Sequence, residues 1–446
     1  MFSDETSARA LLQKVLGYSQ ADQTEVVYLG TESALTRFAN NSIHQNVAES
    51  NHELRVRAVA GKKVGVATTN RLDDEALRRV AEQALEIARL QPENPEFHSL
   101  PGPQPIVPAH GFYEQTALFS PEERARRVGI IVQLAKESRL EAAGAFSTNA
   151  SQVAVANSLG IFAYEPRTDS ECHAVVMADE RGSGYTQRMA TDVSTLDFEA
   201  MAHEAVSTAQ RSRKPIDIAL GEYQVVLDTY AVGDMLQNLI FMGLSATAVQ
   251  EERSFMNGQF GKQLLDACVT IYDDGHDPAG LPQAFDYEGM PKQRVVMFDH
   301  GVANAVVYDS FTAAREGKLN TGHALPAPNS FGPAPTNTMM EAGDASMEEL
   351  LKGVERGLYV TRFHYTNTVH PVKTLFTGMT RDGTFLIEHG ELSSPVKNLR
   401  FTQSILNALS EVQAIGRERV QCSDYLTIVA PALRIGRFNF TGITGA

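Results

Sequence analysis

The chain has 446 residues, with 39 Lys and Arg against 54 Asp and Glu, so its formal net charge is −15. This length predicts two or three domains, and a hydrophobic content of 43% excludes wholesale disorder. The acidity argues against a dedicated nucleic-acid binder and against binding to anionic membranes, because both need clustered Lys and Arg.

The cysteine content and the N-terminal residues indicate the cellular compartment of the protein. Cys172, Cys268 and Cys422 are too few and too far apart for a disulfide framework, which predicts a reducing cytoplasm. Acidic residues stand where a secretory signal would be basic, so we expect no signal peptide. Apolar runs such as Leu239–Leu244 are far shorter than the roughly 20 residues that span a bilayer.

The first predicted unit begins with a helix at about Ser7–Leu16 and ends with a helix capped by Asp73. Between them, alternating and β-branched residues predict five short strands. These strands are Glu25–Leu29, Ala34–Phe38, Ile43–Ala48, Leu54–Val59 and Val64–Thr68. A stretch rich in proline, from Gln91 to Pro108, follows as a linker.

A second unit of the same order opens with a capping box in which Ser120 caps a helix and Glu123 reaches back. Its last helix, about Asp197–Gln210, resembles the last helix of the first unit, which indicates a duplicated unit or a chance similarity of two amphipathic helices. The predicted strands between are Ala145–Thr148, Gln152–Ala156, Ile161–Tyr164, Cys172–Ala178 and Gly184–Ala190.

The rest of the chain is richer in short strands and turns. Tyr223–Leu227 is predicted as a strand that leads into a helix over Tyr230–Val249, and a second capping box starts a short helix at Ser346. Gly322–Asn337, rich in Gly, Pro and Asn, is predicted to be a long functional or partner-binding loop.

Together these elements predict an α+β fold: two mixed helix–strand units followed by a larger β-rich domain. The predicted boundaries are an N-terminal α+β domain over 1–95, a Pro-rich linker over 96–118, a central α+β domain over 119–215 and a β-rich domain over 216–446.

No complete catalytic or metal-binding set follows from the residues alone. His203 and Glu204 begin a zinc-protease pattern, but the second histidine that would complete it is missing. Half of the histidines fall in the third region without a metal-ligand spacing: His276, His300, His323, His364, His370 and His389. Nucleophile-elbow and phosphate-loop motifs are also missing.

Several segments, in order, resemble the central blocks of the TldD/PmbA (TldD/TldE) metallopeptidase family. They are Gly221–Asp228 before an apolar helix, Gly261-Lys262, Phe285–Gly289, Asn320–Ala324, Gly357–Thr361 and, as the most specific block, Gly383–Lys397. The N-terminal strands, the first-unit helix and Arg167–Ser170 agree as well. The resemblance therefore covers nearly the whole chain.

This resemblance implies a cytoplasmic metallopeptidase system built from two related subunits. One subunit carries His-Glu-x-x-x-His on the helix after the strand that corresponds to Tyr223–Leu227, plus a cysteine ligand near its C-terminus. The other, of the PmbA or TldE type, lacks this motif. The present chain has neither His nor Glu between Asp228 and Val249, and Cys422 lies near the family's cysteine position.

We therefore expect a TldE-like subunit with no catalytic or metal-binding residues of its own and no cofactor, and with zinc in a TldD-like partner. Its expected partner is that paralogue or a second copy of the chain, and its expected substrate is a peptide. We expect no direct binding to nucleic acid and none to a membrane. His323, His364 and His370 are candidate peptide or partner contacts. The alternatives are a self-sufficient metallopeptidase with non-standard ligands and a homodimeric, non-catalytic binding protein, and the family's description as a modulator of DNA gyrase suggests a DNA-linked role.

Overall fold

The structure, a computed structural model, describes residues 4–422 and 426–443. The first unit consists of α1 (Glu5–Tyr18), β1 (Gln23–Ala39), β2 (Ser42–Ala60), β3 (Lys63–Thr69) and α2 (Asp74–Leu90). The second follows a short helix, α3 (Glu114–Ala117), and repeats the order: α4 (Pro121–Glu137), β4 (Glu141–Asn157), β5 (Phe162–Met177), β6 (Ser183–Ala190) and α5 (Phe198–Arg211).

The two units share one antiparallel sheet of six strands in the order β3-β2-β1-β4-β5-β6. The junction is the pairing of β1 with β4, which runs from Glu25 opposite Asn157 to Phe38 opposite Gly144. The predicted domains 1–95 and 119–215 thus contribute halves of a single sheet. Two apolar clusters lie between this sheet and the helices, and each draws most of its residues from one half.

The two units make the same close contact between a strand and a helix. Gly65 in β3 lies against the backbone of Ala84 and Ala88 in α2, and Gly184 in β6 lies against the backbone of Ala205 and Ala209 in α5. A methyl group at either glycine would overlap the helix backbone. This shared geometry favours a duplicated unit over a chance similarity of helices.

The C-terminal region begins with β7 (Gly221–Leu227), α6 (Thr229–Gly243) and α7 (Ala246–Gln250). It continues with β8 (Ile271–Asp273), β9 (Val295–Asp299), β10 (Val302–Ala303), α8 (Ser310–Glu316), β11 (Asn337–Met340) and α9 (Met347–Lys352). Its last elements are β12 (Arg356–His370), β13 (Leu375–Glu388), β14 (Glu391–Pro395), β15 (Leu399–Ser404), α10 (Ile405–Leu409), β16 (Val412–Gln421) and β17 (Thr427–Ile443). The α+β fold with a large sheet-rich C-terminal domain is confirmed.

Five of these strands close into a ring. β7 pairs with β12 on one side and with β17 on the other, and β13 and β15 complete the circuit between them. Phenylalanines from four of the strands pack together in its core, with the Phe363 and Phe401 ring centroids 4.4 Å apart. The ring therefore fixes the end of β7, from which α6 departs.

The N-terminal sheet and the C-terminal domain are joined by buried contacts. Val155 of β4 and Ile161, directly before β5, pack against Phe285 and Met290 of a C-terminal loop. Arg57 from β2 lies 2.6 Å from a carboxylate oxygen of Glu25 and 3.0 Å from one of Glu288. No helix in the described ranges is long and apolar enough to cross a membrane.

Candidate functional site

The candidate site lies where β7 ends and α6 begins. Val225, Val226 and Leu227 are completely buried, so the chain enters the helix from the centre of the domain. Asp228 caps the helix, accepting a 2.7 Å hydrogen bond from the backbone N–H of Thr229. Most residues of α6 are buried, because the helix is apolar around much of its circumference. The cap and the surrounding core thus fix the position of the first turns of α6.

A cleft of about 200 Å³ opens beside these turns. Its walls come from β6, α6, β12 and the segment after β16. The lining residues are Tyr185, Gln187, Tyr230, Gly233, Asp234, Gln237, Arg362, Phe363, His364, Tyr365, Thr366 and Cys422. The cleft therefore lies between the central unit and the C-terminal domain.

Cys422 packs directly on the start of α6. Its Sγ lies 3.4 Å from the carbonyl oxygen of Thr229, to which the thiol donates, and the residue is 3% exposed. A methyl group at Gly233 would overlap this sulfur. The cysteine near the family's cysteine position therefore lies beside the helix that corresponds to the motif-bearing helix of the metal-binding subunit.

The residues present do not fit a zinc centre. With the spacing of His-Glu-x-x-x-His placed on this turn, the three motif positions hold Thr229, Tyr230 and Asp234. Zinc in proteins is held by imidazole, thiolate and carboxylate groups, and among the residues that line the cleft these are the side chains of Asp234, His364 and Cys422. Across residues 4–422 and 426–443, no group of three or more His, Cys, Asp or Glu side chains is placed to hold a metal ion.

Sequence reasoning missed that three residues meet at this place. Tyr230, Arg188 from β6 and Glu204 from α5 are joined by hydrogen bonds. His203, the first residue of the incomplete zinc pattern, is exposed, whereas its neighbour Glu204 turns toward the C-terminal domain. The one local feature in the sequence was a tyrosine directly after Asp228-Thr229 at the start of the helix. A tyrosine at such a position does not by itself indicate a functional site.

His323 is buried in a separate network. It is 1% exposed, with its Nε2 lying 2.9 Å from Asp273 Oδ1 and its Nδ1 2.9 Å from Thr321 Oγ1. Burial, and then the charge of Lys292, lower the pKa of this imidazole, so it is neutral near pH 7. Burial opposes the ionisation of Asp273, but Lys292 and His323 hold its pKa below the usual value.

This network assigns the tautomer and a structural role. An ionised Asp273 only accepts hydrogen bonds, so His323 Nε2–H donates to it. The unprotonated Nδ1 lies 2.9 Å from the Thr321 hydroxyl, which is also 2.9 Å from the carbonyl oxygen of Tyr308. In this conformation His323 fixes the loop that begins at Gly322 to Asp273 of β8. Contact of its side chain with a peptide or a partner stays a prediction that would require this loop to open.

The other two predicted histidines lie on β12. His364 is half-buried and lines the cleft, whereas His370 is exposed at the end of the strand. His370 accepts a long hydrogen bond of 3.4 Å from the backbone N–H of Lys373. The structure therefore places one of the three candidates at the cleft, one in the interior and one on the surface.

Sequence comparison assigns these features to known domains. Residues 24–88 match domain 1 of the PmbA/TldA metallopeptidases, residues 120–213 match their central domain and residues 220–442 match their C-terminal domain. Fold and sequence together define a three-part chain of the metallopeptidase class. The chain belongs to the PmbA/TldD family.

Individual relatives are distant but match over most of their length. An uncharacterized protein from Methanocaldococcus jannaschii is 23% identical over 89% of this chain and 92% of its own. A metalloprotease TldD homolog from Buchnera aphidicola is 23% identical over 84% of this chain and 81% of its own.

Two solved structures share the fold. TldE from Thermococcus kodakarensis superposes with a TM-score of 0.90 at 19% identity, over 97% of this chain and 99% of its own. A proposed modulator of a DNA gyrase from Thermotoga maritima superposes with a TM-score of 0.87 at 20% identity, over 97% of this chain and 100% of its own.

Proposed function

We propose that this chain is the TldE-type subunit of a two-subunit metallopeptidase, in which a TldD-like paralogue supplies zinc and the catalytic residues. The observation that carries this proposal is that the segment from Asp228 to Val249 contains neither His nor Glu, so the metal motif of the other subunit has no counterpart on this helix. The hydroxyl groups of Thr229 and Tyr230 are not among the usual zinc ligands, which are imidazole, thiolate and carboxylate groups. The complex works in the cytoplasm, in keeping with Cys172, Cys268 and Cys422, which form no disulfide bond with one another in the structure.

In this complex the chain helps to enclose a chamber and to hold an extended or unfolded peptide. Strand addition suits this task, because main-chain hydrogen bonds bind a peptide with little demand on its sequence. β3 pairs with β2 only from Leu54 to Ala60, and in the described part of the chain no other strand lies on the outer side of Ser42–Glu53.

This free edge is held rigidly at its hairpin end. The side chain of Asn41 donates a 2.7 Å hydrogen bond to the carbonyl of Leu140 and accepts one of 2.8 Å from the N–H of Ala142. A rigid edge binds a strand at a lower entropic cost than a mobile one. The segments Gly322–Asn337 and His364–His370 are further candidates for contact with the chamber or the partner.

The test is proteolysis of an unstructured peptide by three samples: this chain, a His-Glu-x-x-x-His paralogue from the same genome, and their mixture. We expect the chains to co-elute on gel filtration and cleavage to require the mixture. A matched control replaces the glutamate of the paralogue's motif by glutamine, which should abolish cleavage without preventing co-elution. Cleavage by this chain alone would overturn the proposal.

A further inference from the structure

The phenol of Tyr230 joins α6 to two elements of the central unit. Its oxygen accepts a 3.1 Å hydrogen bond from the backbone N–H of Gln187 and another from the guanidinium of Arg188. The same oxygen lies 3.0 Å from Glu204 Oε1, to which the hydroxyl donates, and 3.3 Å from the carbonyl oxygen of Gln187. One hydroxyl thus contacts β6, through both main chain and side chain, and α5.

Charges around this hydroxyl form a compact cluster. Arg188 Nη2 lies 3.0 Å from Glu204 Oε2, which also accepts a 2.8 Å hydrogen bond from Thr186. Asp228 is the second carboxylate, and it accepts a hydrogen bond from the hydroxyl of Tyr359 on β12. Burial raises the pKa of Glu204, and the proximity of Asp228 raises it further against the opposing charge of Arg188. The Arg188 guanidinium is therefore the positive charge that favours the ionised form of Glu204.

Aromatic contacts extend the same connection. The Tyr185 ring meets the Tyr230 ring edge-on, with centroids 5.3 Å apart, and the guanidinium of Arg362 lies 4.0 Å from the Tyr185 centroid. Arg362 in turn donates a 2.7 Å hydrogen bond to Asp382 of β13. The connection between the units thus reaches from α5 through β6 to α6, β12 and β13.

We infer that the first turn of α6 forms an interdomain clasp, in which the Tyr230 hydroxyl and the Arg188 guanidinium bind the central unit to the C-terminal domain. The clasp goes beyond the proposed function, because it concerns the isolated chain. It also covers part of a sheet edge. β6 is the last strand of its sheet, and the N–H and C=O of Gln187 on its outer side face Tyr230.

The conservative test is Tyr230→Phe, which keeps the ring and removes the hydroxyl. We expect a folded protein with amide hydrogen exchange at least tenfold faster around Gln187 and at Glu204, and faster trypsin cleavage after Arg211 and Arg213, between the two units. The matched control is Tyr308→Phe, whose hydroxyl donates a 2.8 Å hydrogen bond to Glu316 within the C-terminal domain. Equal exchange of β6 in the two variants would overturn the clasp.

A second test introduces the His-Glu-x-x-x-His spacing through Thr229→His, Tyr230→Glu and Asp234→His together. The carboxylate introduced at position 230 would lie beside Glu204 and Asp228, so we expect less than a tenth of an equivalent of zinc after dialysis and a melting point below that of Tyr230→Phe. One tightly held zinc per chain, with the melting point of the parent protein, would contradict the inference. Both tests use the chain alone, so they do not depend on whether a TldD-like partner is found.

Discussion

Asp273 and His323 show how a residue chosen as a candidate contact serves the interior of the protein. Asp273 Oδ2 accepts a 2.7 Å hydrogen bond from the backbone N–H of Asn337, and Oδ1 is held by His323. The two residues therefore connect β8, the loop that begins at Gly322 and the start of β11. A histidine next to a Gly-rich loop gave no sign of this partner in the sequence, because Asp273 lies fifty residues away.

The first prediction concerns this buried pair. His323→Ala removes the donor to Asp273 and leaves a fully buried carboxylate oxygen without that bond, which should cost about 2–4 kcal/mol of unfolding free energy. Urea denaturation at pH 7.5 measures this loss. His370→Ala, at an exposed position on β12, should change stability by no more than about 0.5 kcal/mol. Similar losses in the two variants would show that the network is not structural.

A second residue, Glu25, predicts a dependence of stability on pH. Burial, together with Glu288, raises the pKa of Glu25 from 4.5 to about 7 against the opposing charge of Arg57. A carboxyl whose pKa is higher in the folded state stabilises the fold at low pH, and this contribution is lost as pH rises through 7. The loss between pH 5.5 and 8 should be about 2 kcal/mol for this group.

The measurement compares Glu25→Gln with the parent protein over this pH range. The variant cannot lose the proton, so its stability relative to the parent should rise by about 2 kcal/mol from pH 5.5 to 8. Glu32→Gln on the same strand, at an exposed position, is the control and should leave the pH profile unchanged. A flat difference between Glu25→Gln and the parent would refute the raised pKa.

At the scale of elements, the repeated glycine contact gives a third prediction. Gly65→Ala and Gly184→Ala each place a methyl group against a helix backbone that cannot move without losing its packing, so each should destabilise by about 1–3 kcal/mol. Gly129→Ala is the matched control, since its Cβ would meet no atom within 4 Å and the residue lies inside α4. That change should stabilise by about 0.5–1 kcal/mol. Thermal unfolding of the three variants distinguishes these outcomes.

The pattern of the sequence predicted where strands lie but not how long they are. Glu25–Leu29 and Ala34–Phe38 are parts of one strand, β1, and the same is true of the predicted pairs within β2, β4 and β5. Alternation fails where both faces of a strand are exposed, as in Glu49–Asn51, although main-chain pairing continues there. Hydrophobic patterning records burial, whereas strand length is set by backbone hydrogen bonds.

Helix starts were predicted better than helix ends. Asp73, Ser120 and Ser346 cap helices as their side chains indicated, because a capping bond is local in sequence. The helix predicted over Tyr230–Val249 instead breaks after Gly243 into α6 and α7. The N–H of Ala246 donates to the carbonyl of Val307, and a contact so distant in sequence could not be anticipated.

For the whole molecule, the resemblance located the candidate site, but the contacts between units needed coordinates. The sequence already showed that Asp228–Val249 contains no His or Glu, and that a cysteine lies near the C-terminus. The meeting of Tyr230, Arg188 and Glu204 was not, because these residues belong to different units. The same holds for Arg57 and Glu288, which lie 231 positions apart. Long-range ion pairs of this kind leave no local pattern.

The central claim is that zinc belongs to the partner and not to this chain. The most direct measurement is metal content by mass spectrometry, made on the purified chain and on its gel-filtered complex with the His-Glu-x-x-x-His paralogue, both after dialysis. The proposed function predicts a stable complex with about one zinc, and only trace metal in the chain alone. Stoichiometric zinc retained by the isolated chain, or failure of the two chains to form a complex, would contradict it.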